Sequence, residues 1–281
     1  MPDIWGLGAI ATKFALYLGV MTSTGTVFVA LLFQVENIRR LTVVFAMLAL
    51  IATIIGFSLG GAALTGDMGG MTDPEMLGLL WSTPVGTALA YRLVGLALLI
   101  LGLMLGRSGL WVSAIGGGLA LWSFASVGHI PDRDIFWLDG LLLIHLAAIA
   151  VWIGILTPLK RLANISTAKA AADLGHRFGR MAVVFVPLLI LAGLVMSYVL
   201  VGSIASLVGT GYGQALIVKV AVVVVLLGLA ALNKLRFVPK LMNGDAHAAQ
   251  HLSRSISFEW VAVIIILLTT AVLTSALTLP S

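Results

Sequence analysis

Cysteine is absent from the 281 residues. Disulfides and thiolate metal sites are therefore excluded, and any metal must be held by histidine, methionine or carboxylates. Charge is scarce as well. Asp, Glu, Lys and Arg make up 10 % of the chain, against about 25 % in a soluble domain. No glycine-rich phosphate loop follows a strand pattern, since Gly116-Gly117-Gly118 lies inside an apolar run; ATP-driven transport is not expected. The Met1–Trp5 head lacks a basic region and no cleavage site follows it, so no removable signal peptide is expected.

What is present is apolar. Hydrophobic residues make up 60 % of the chain and the mean hydropathy is +1.14. Uninterrupted apolar runs lie at about 8–33, 42–64, 84–105, 110–128, 138–158, 180–203, 214–233 and 258–278. A membrane helix takes roughly 20 apolar residues, so the chain has room for eight spans and short connections. The expected fold is all-α, a polytopic protein of about eight transmembrane helices embedded in the lipid bilayer.

Basic residues divide sharply among the connections. The first, third, fifth and seventh hold twelve: Arg39, Arg40, Arg107, Lys160, Arg161, Lys169, Arg177, Arg180, Lys234, Arg236, Lys240 and Arg254. The other connections and both tails hold one, Arg133. The positive-inside rule puts the four basic loops in the cytoplasm and both termini outside. Asp3, Asp67, Asp73, Glu75, Asp132, Asp134 and Asp139 fall on the outer side. This asymmetry accounts for the net charge of +5 without a nucleic-acid partner. It also suits a cationic ligand approaching from outside, although acids can simply mark the translocated side.

The chain repeats a pattern. Thr83-x-x-Gly86-x-x-x-x-x-Arg92 opens the third run, and Thr210-x-x-Gly213-x-x-x-x-x-Lys219 opens the seventh, 127 residues later. Both copies enter from the same side. The expectation is a parallel repeat of two four-helix halves, 1–128 and 129–281.

An ionisable group inside a span is a functional candidate by default. Arg92 and Lys219 either snorkel to the outer headgroups or face the bundle as a cation pair that binds an anionic group. His145 lies about two turns into the fifth run, where a short imidazole cannot snorkel. His129 ends the fourth. The connection between them is short, so the two histidines are expected to share an outer-side site, as ligands for copper, zinc, iron or haem iron. The outer loop Gly66-Asp67-Met68-Gly69-Gly70-Met71-Thr72-Asp73 offers two thioethers, which favour Cu(I), and two carboxylates. Asp132 and Asp134 add carboxylates beside His129. Met21 and Met196 read as packing residues, while His176, His247 and His251 read as parts of solvated inner loops.

The segment His145-Leu-Ala-Ala-Ile-Ala-Val-Trp152-Ile-Gly154-Ile-Leu-Thr-Pro158-Leu159 carries a resemblance. So do Arg177-Phe178-Gly179-Arg180, Tyr212-Gly213-x-x-Leu216-x-x-Lys219, Asn233-Lys234 and Pro239. In this order and spacing, over about 140–241, they resemble the CopD (PcoD-type) family of copper-resistance membrane proteins. The resemblance implies a bacterial inner-membrane protein that takes up copper from the periplasm beside a separate CopC-like copper carrier. It also implies His145 as the intramembrane ligand. In this reading His129, Asp132, Asp134, Met68 and Met71 capture copper and pass it to His145. The pattern His145, Trp152, Gly154, Pro158 and Lys219 is similar, too, to the HemJ-type protoporphyrinogen oxidases. That alternative implies a haem b oxidoreductase with His145 as axial ligand and Arg92 and Lys219 pairing with propionates. An assembly subunit without its own ligand is a third class.

Overall fold

The computed structural model describes residues 3–130 and 135–279. Every regular element among them is helical. Seven helices are long and apolar enough to cross a membrane: α1 (Ile4–Phe33), α2 (Arg39–Thr65), α4 (Pro84–Gly102), α6 (Phe136–Leu162), α7 (Ala168–Val201), α9 (Gly211–Leu232) and α11 (Ala246–Ser275). An eighth, α5 (Gly109–Trp122), is shorter and gains one 3-10 turn, Ser123–Ala125. Two short helices precede long ones, α3 (Pro74–Trp81) before α4 and α8 (Ile204–Gly209) before α9; α10 (Val238–Met242) follows a π turn at Asn233–Phe237. The protein is an all-α polytopic membrane protein.

Some stretches expected as loops are ordered. Half of the second connection is helical, because Asp73 caps α3 by accepting from the Glu75 N–H and Pro74 fills its first turn, a favourable start for a helix. The solvated fifth and seventh connections lose their ends to helices. α7 begins at Ala168, well before the apolar run at 180, and α11 begins at Ala246. Both extensions are amphipathic, so hydropathy alone hides them.

α1 is the central helix. Most of its apolar window, 78 %, is buried against protein, whereas only 6 % of the α9 window is. It packs on α2, α5, α6 and α11. Lipid tails are as apolar as leucine, so membrane helices associate through close packing of small residues. α1 supplies these in Gly19 and Thr22-Ser23-Thr24-Gly25-Thr26, all buried. Ser23 and Thr26 return their hydroxyls to the carbonyls of Gly19 (2.7 Å) and Thr22 (2.6 Å). The crossing with α6 is backbone against backbone: a Cβ on Gly25 would collide with the Ala150 carbonyl, and one on Gly154 with Gly25 itself. Large apolar side chains of α2, α7 and α9, such as Ile51, Val184 and Val224, are turned outward to the bilayer.

The repeated sequence pattern builds the same local structure twice. Thr83 and Thr210 each cap a long helix, accepting from the N–H of Val85 (3.2 Å) and of Gly213 (3.1 Å). Gly86 and Gly213 lie against the ends of α3 and α8. A Cβ there would strike the carbonyls of Trp81 and Leu207. Each short helix therefore folds tightly onto the start of the long one.

Candidate copper-handling site

His145 projects from α6 onto α7. Its Nδ1 lies 3.2 Å from the Leu189 carbonyl oxygen, and its ring edge faces Gly193, where a Cβ would stand 3.3 Å from Cε1. A carbonyl can only accept, so Nδ1 carries the proton and Nε2 keeps its lone pair. This is the arrangement in which a histidine ligates a metal, with the second nitrogen anchored to a backbone carbonyl. Nε2 has no hydrogen-bond partner among the described residues. Lys219 of α9 acts electrostatically on the ring. It forms no ion pair among the described residues.

His129 has other partners. Its Nε2 lies 3.3 Å from the Leu273 carbonyl oxygen, and its ring meets Tyr212 edge-on with centroids 5.7 Å apart. Leu273 belongs to the last turn of α11, whose carbonyls lack intrahelical donors. His129 thus closes the end of α11, whereas His145 binds α7, and the two imidazoles have no common partner. Among the described residues no three His, Asp or Glu side chains come together as a metal-binding group.

Arg92 and Lys219 enter different surroundings. Arg92 donates from Nε to Ser123 Oγ (3.0 Å) and lies over the Phe124 ring at 5.3 Å. Its electrostatic neighbours are Lys13 and Tyr17. Lys13, inside the first apolar run, is a third such cation, one that the repeated pattern does not include. It donates to the Thr274 carbonyl (2.7 Å), and Tyr17 shares a hydrogen bond with the Thr274 hydroxyl (3.2 Å). The end of α11 is therefore satisfied by His129 and Lys13 together. The partial negative charge of a helix C-terminus favours such a cation.

Met68 is 72 % exposed and Met71 partly buried, on the 3-10 turn Met68–Met71. Asp67 caps that turn through the Gly69 N–H (2.6 Å) and Asp73 caps α3, so both carboxylates already hold backbone donors. Asp132 and Asp134 lie outside the described residues. Met21 and Met196 are buried in the packing clusters, and His176 and His247 are exposed. His251 stacks on Phe237 with centroids 5.7 Å apart.

On the basic side lies a network that no sequence motif announced. Glu259 of α11 is 3 % exposed. One of its oxygens accepts from Trp152 Nε1 (3.2 Å), the other from Asn233 Nδ2. Trp152 is packed edge-on against Phe178 and Phe185, 6.4 and 6.2 Å away. Arg177 donates to the Phe33 carbonyl at the end of α1 (3.3 Å). Trp152 and Asn233, singled out above for their order in the chain, thus meet on one buried carboxyl, with Phe178 packed against the Trp152 ring.

Comparison with known proteins agrees with this architecture. The model of the copper resistance protein D family matches residues 172–273, and that of the copper resistance protein D-like N-terminal domain matches residues 1–134. The chain is 27 % identical to copper resistance protein D of Pseudomonas syringae pv. tomato over 290 aligned positions, 92 % of this chain and 93 % of that protein. It is 31 % identical over 136 residues to the copper transport protein CutJ of Bacillus subtilis. That match takes in 47 % of this chain but only 24 % of CutJ, so it spans about a quarter of that relative. No solved structure matches the chain. The two family models take in most of the sequence, and the chain belongs to the CopD family of copper-resistance membrane proteins.

Proposed function

We propose that this protein carries copper inward across the bacterial inner membrane, with His145 as the ligand inside the bundle. The observation that supports this most is the geometry of His145. Its Nδ1–H is anchored on the Leu189 carbonyl, which leaves the Nε2 lone pair inside the membrane for a soft or borderline cation. Copper is the cargo, supplied on the acidic outer side by a separate CopC-like carrier. The exposed thioether of Met68, with Met71 behind it, receives the ion first. His129, Asp132 and Asp134 are the further ligands in capture. Both termini face the periplasm, the four basic connections face the cytoplasm, and the halves 1–128 and 129–281 are related four-helix units.

Cellular copper accumulation at equal membrane abundance tests the route. His145→Ala brings accumulation to background, because no second imidazole stands beside it among the described residues. Met68→Ala with Met71→Ala only reduces it, since those residues act in capture. Unchanged accumulation in His145→Ala removes the central ligand. Loss of a haem spectrum in that variant, with copper accumulation intact, identifies His145 as a haem ligand instead.

A further inference from the structure

The carboxyl of Glu259 is used by no step of this route, yet it is the most enclosed acid among the described residues. It sits midway along α11 with both oxygens bonded, to Trp152 and to Asn233. No Lys or Arg pairs with it; among the described residues the one ion pair is Arg177–Asp173 at 3.8 Å. Asn233 is 7 % exposed and gives its amide donor to Glu259, leaving its own Oδ1 buried without a partner. It also opens the π turn Asn233–Phe237, a widening of the helix that recurs at functional sites.

Both residues line a cavity of about 210 Å³ between α6, α7, α9 and α11. Its other walls are apolar except for Lys234. The stem of Lys234 lies along Gly179, with Cγ 3.4 Å from the position a Cβ would take there, and the residue reaches the protein surface. Besides Glu259, Lys234 is the only titratable group in the lining. α6 and α7 contribute only apolar and aromatic groups to it, plus the Trp152 indole.

A carboxyl withdrawn from water without a counter-charge either takes a proton or holds a cation. The donors here are oxygens, hard ligands that do not suit Cu(I). Two hydrogen bonds keep the ionised form accessible. On protonation the carboxyl gains a donor, and Oδ1 of Asn233 is an acceptor still unfilled beside it. We infer that Glu259 is a proton-binding site that exchanges one proton with the basic face of the protein through the cavity at Lys234. A hydronium ion at the basic face gives up the proton and is left as water, an O–H bond forms at the carboxylate, and the proton returns to water as hydronium when that bond breaks. No electron moves. Only the consequence for copper movement rests on the transport reading above.

Infrared difference spectroscopy of the full-length protein in lipid, titrated between acid and alkali, reads the site without copper. Wild type shows a protonated-carboxyl band that rises reversibly in acid and shifts in D2O. Glu259→Gln lacks that band, and Glu259→Asp, which keeps a carboxyl one methylene shorter, retains it at a different frequency. A titration indistinguishable between wild type and Glu259→Gln overturns the inference, whatever copper does; should the Gln variant not accumulate, absence of the displaced band in Glu259→Asp overturns it equally. In vesicles, the rate of copper entry in wild type depends on pH at the basic face, whereas Glu259→Gln gives a flat profile with copper bound per protein unchanged. Identical profiles break the link to transport. If wild type moves no copper, the transport reading falls while the infrared titration still decides the proton site.

Discussion

Replacing Gly25 by alanine adds one methyl group where two helix backbones already touch. The new Cβ would collide with the Ala150 carbonyl and lie 3.1 Å from the Gly154 nitrogen; in the reverse direction, a Cβ on Gly154 would lie 2.6 Å from the Thr26 nitrogen. Ordinary contact begins near 3.4 Å, so α1 and α6 must part by on the order of 1 Å. α1 cannot retreat freely, because α2, α5 and α11 pack on its other faces. Overpacking of this kind costs about 1–3 kcal/mol, which for a chain of this size lowers the melting midpoint by roughly 2–5 °C. Gly228 is the control. Nothing lies within 4 Å of a Cβ there, and alanine gains up to about 1 kcal/mol of helix propensity. Thermal melts of the purified variants in one detergent, followed by helical circular dichroism, give the comparison. If Gly25→Ala melts with Gly228→Ala, the backbone-to-backbone crossing is wrong, and with it the central place of α1.

Trp152→Phe removes the indole donor from a buried Glu259 oxygen and is expected to cost about 1–3 kcal/mol; a melting midpoint equal to wild type contradicts the network. Thr83→Ala and Thr210→Ala each delete one helix cap and lower stability by about 1 kcal/mol. A large effect at one and none at the other would show that the repeated pattern is not energetically repeated. Because the chain has no cysteine, single substitutions map topology cleanly. Met68→Cys is labelled from outside by a membrane-impermeant maleimide, and Ser166→Cys and Asn243→Cys react only after permeabilisation. Labelling of Ser166→Cys in intact cells reverses the orientation.

Long apolar runs made the transmembrane helices legible, and the patterns Thr83–Arg92 and Thr210–Lys219 each carry a threonine that caps a long helix. Short helices escaped because a capped turn such as Asp73-Pro74 carries little hydropathy. The buried polar partners escaped for a different reason. His129 meets Leu273 and Lys13 meets Thr274 across 144 and 261 positions of chain, and no local pattern encodes contacts of that range. Glu259 was hidden by its place beside the start of an apolar run at 258; the helix in fact begins at Ala246, which carries the carboxyl to mid-helix. Trp152 and Asn233 were visible as letters of a family pattern, but their common partner was not. His145 was legible as an intramembrane imidazole, and its anchoring carbonyl on α7 required the fold.

Copper bound per molecule of purified protein, with the visible spectrum of the same sample, addresses the central ligand most directly. Wild type is expected to bind copper without a Soret band, and His145→Ala, at the same melting midpoint, to lose that copper. Undiminished copper in His145→Ala, or a Soret band in wild type that vanishes in the variant, contradicts the assignment of His145 as the copper ligand within the bundle.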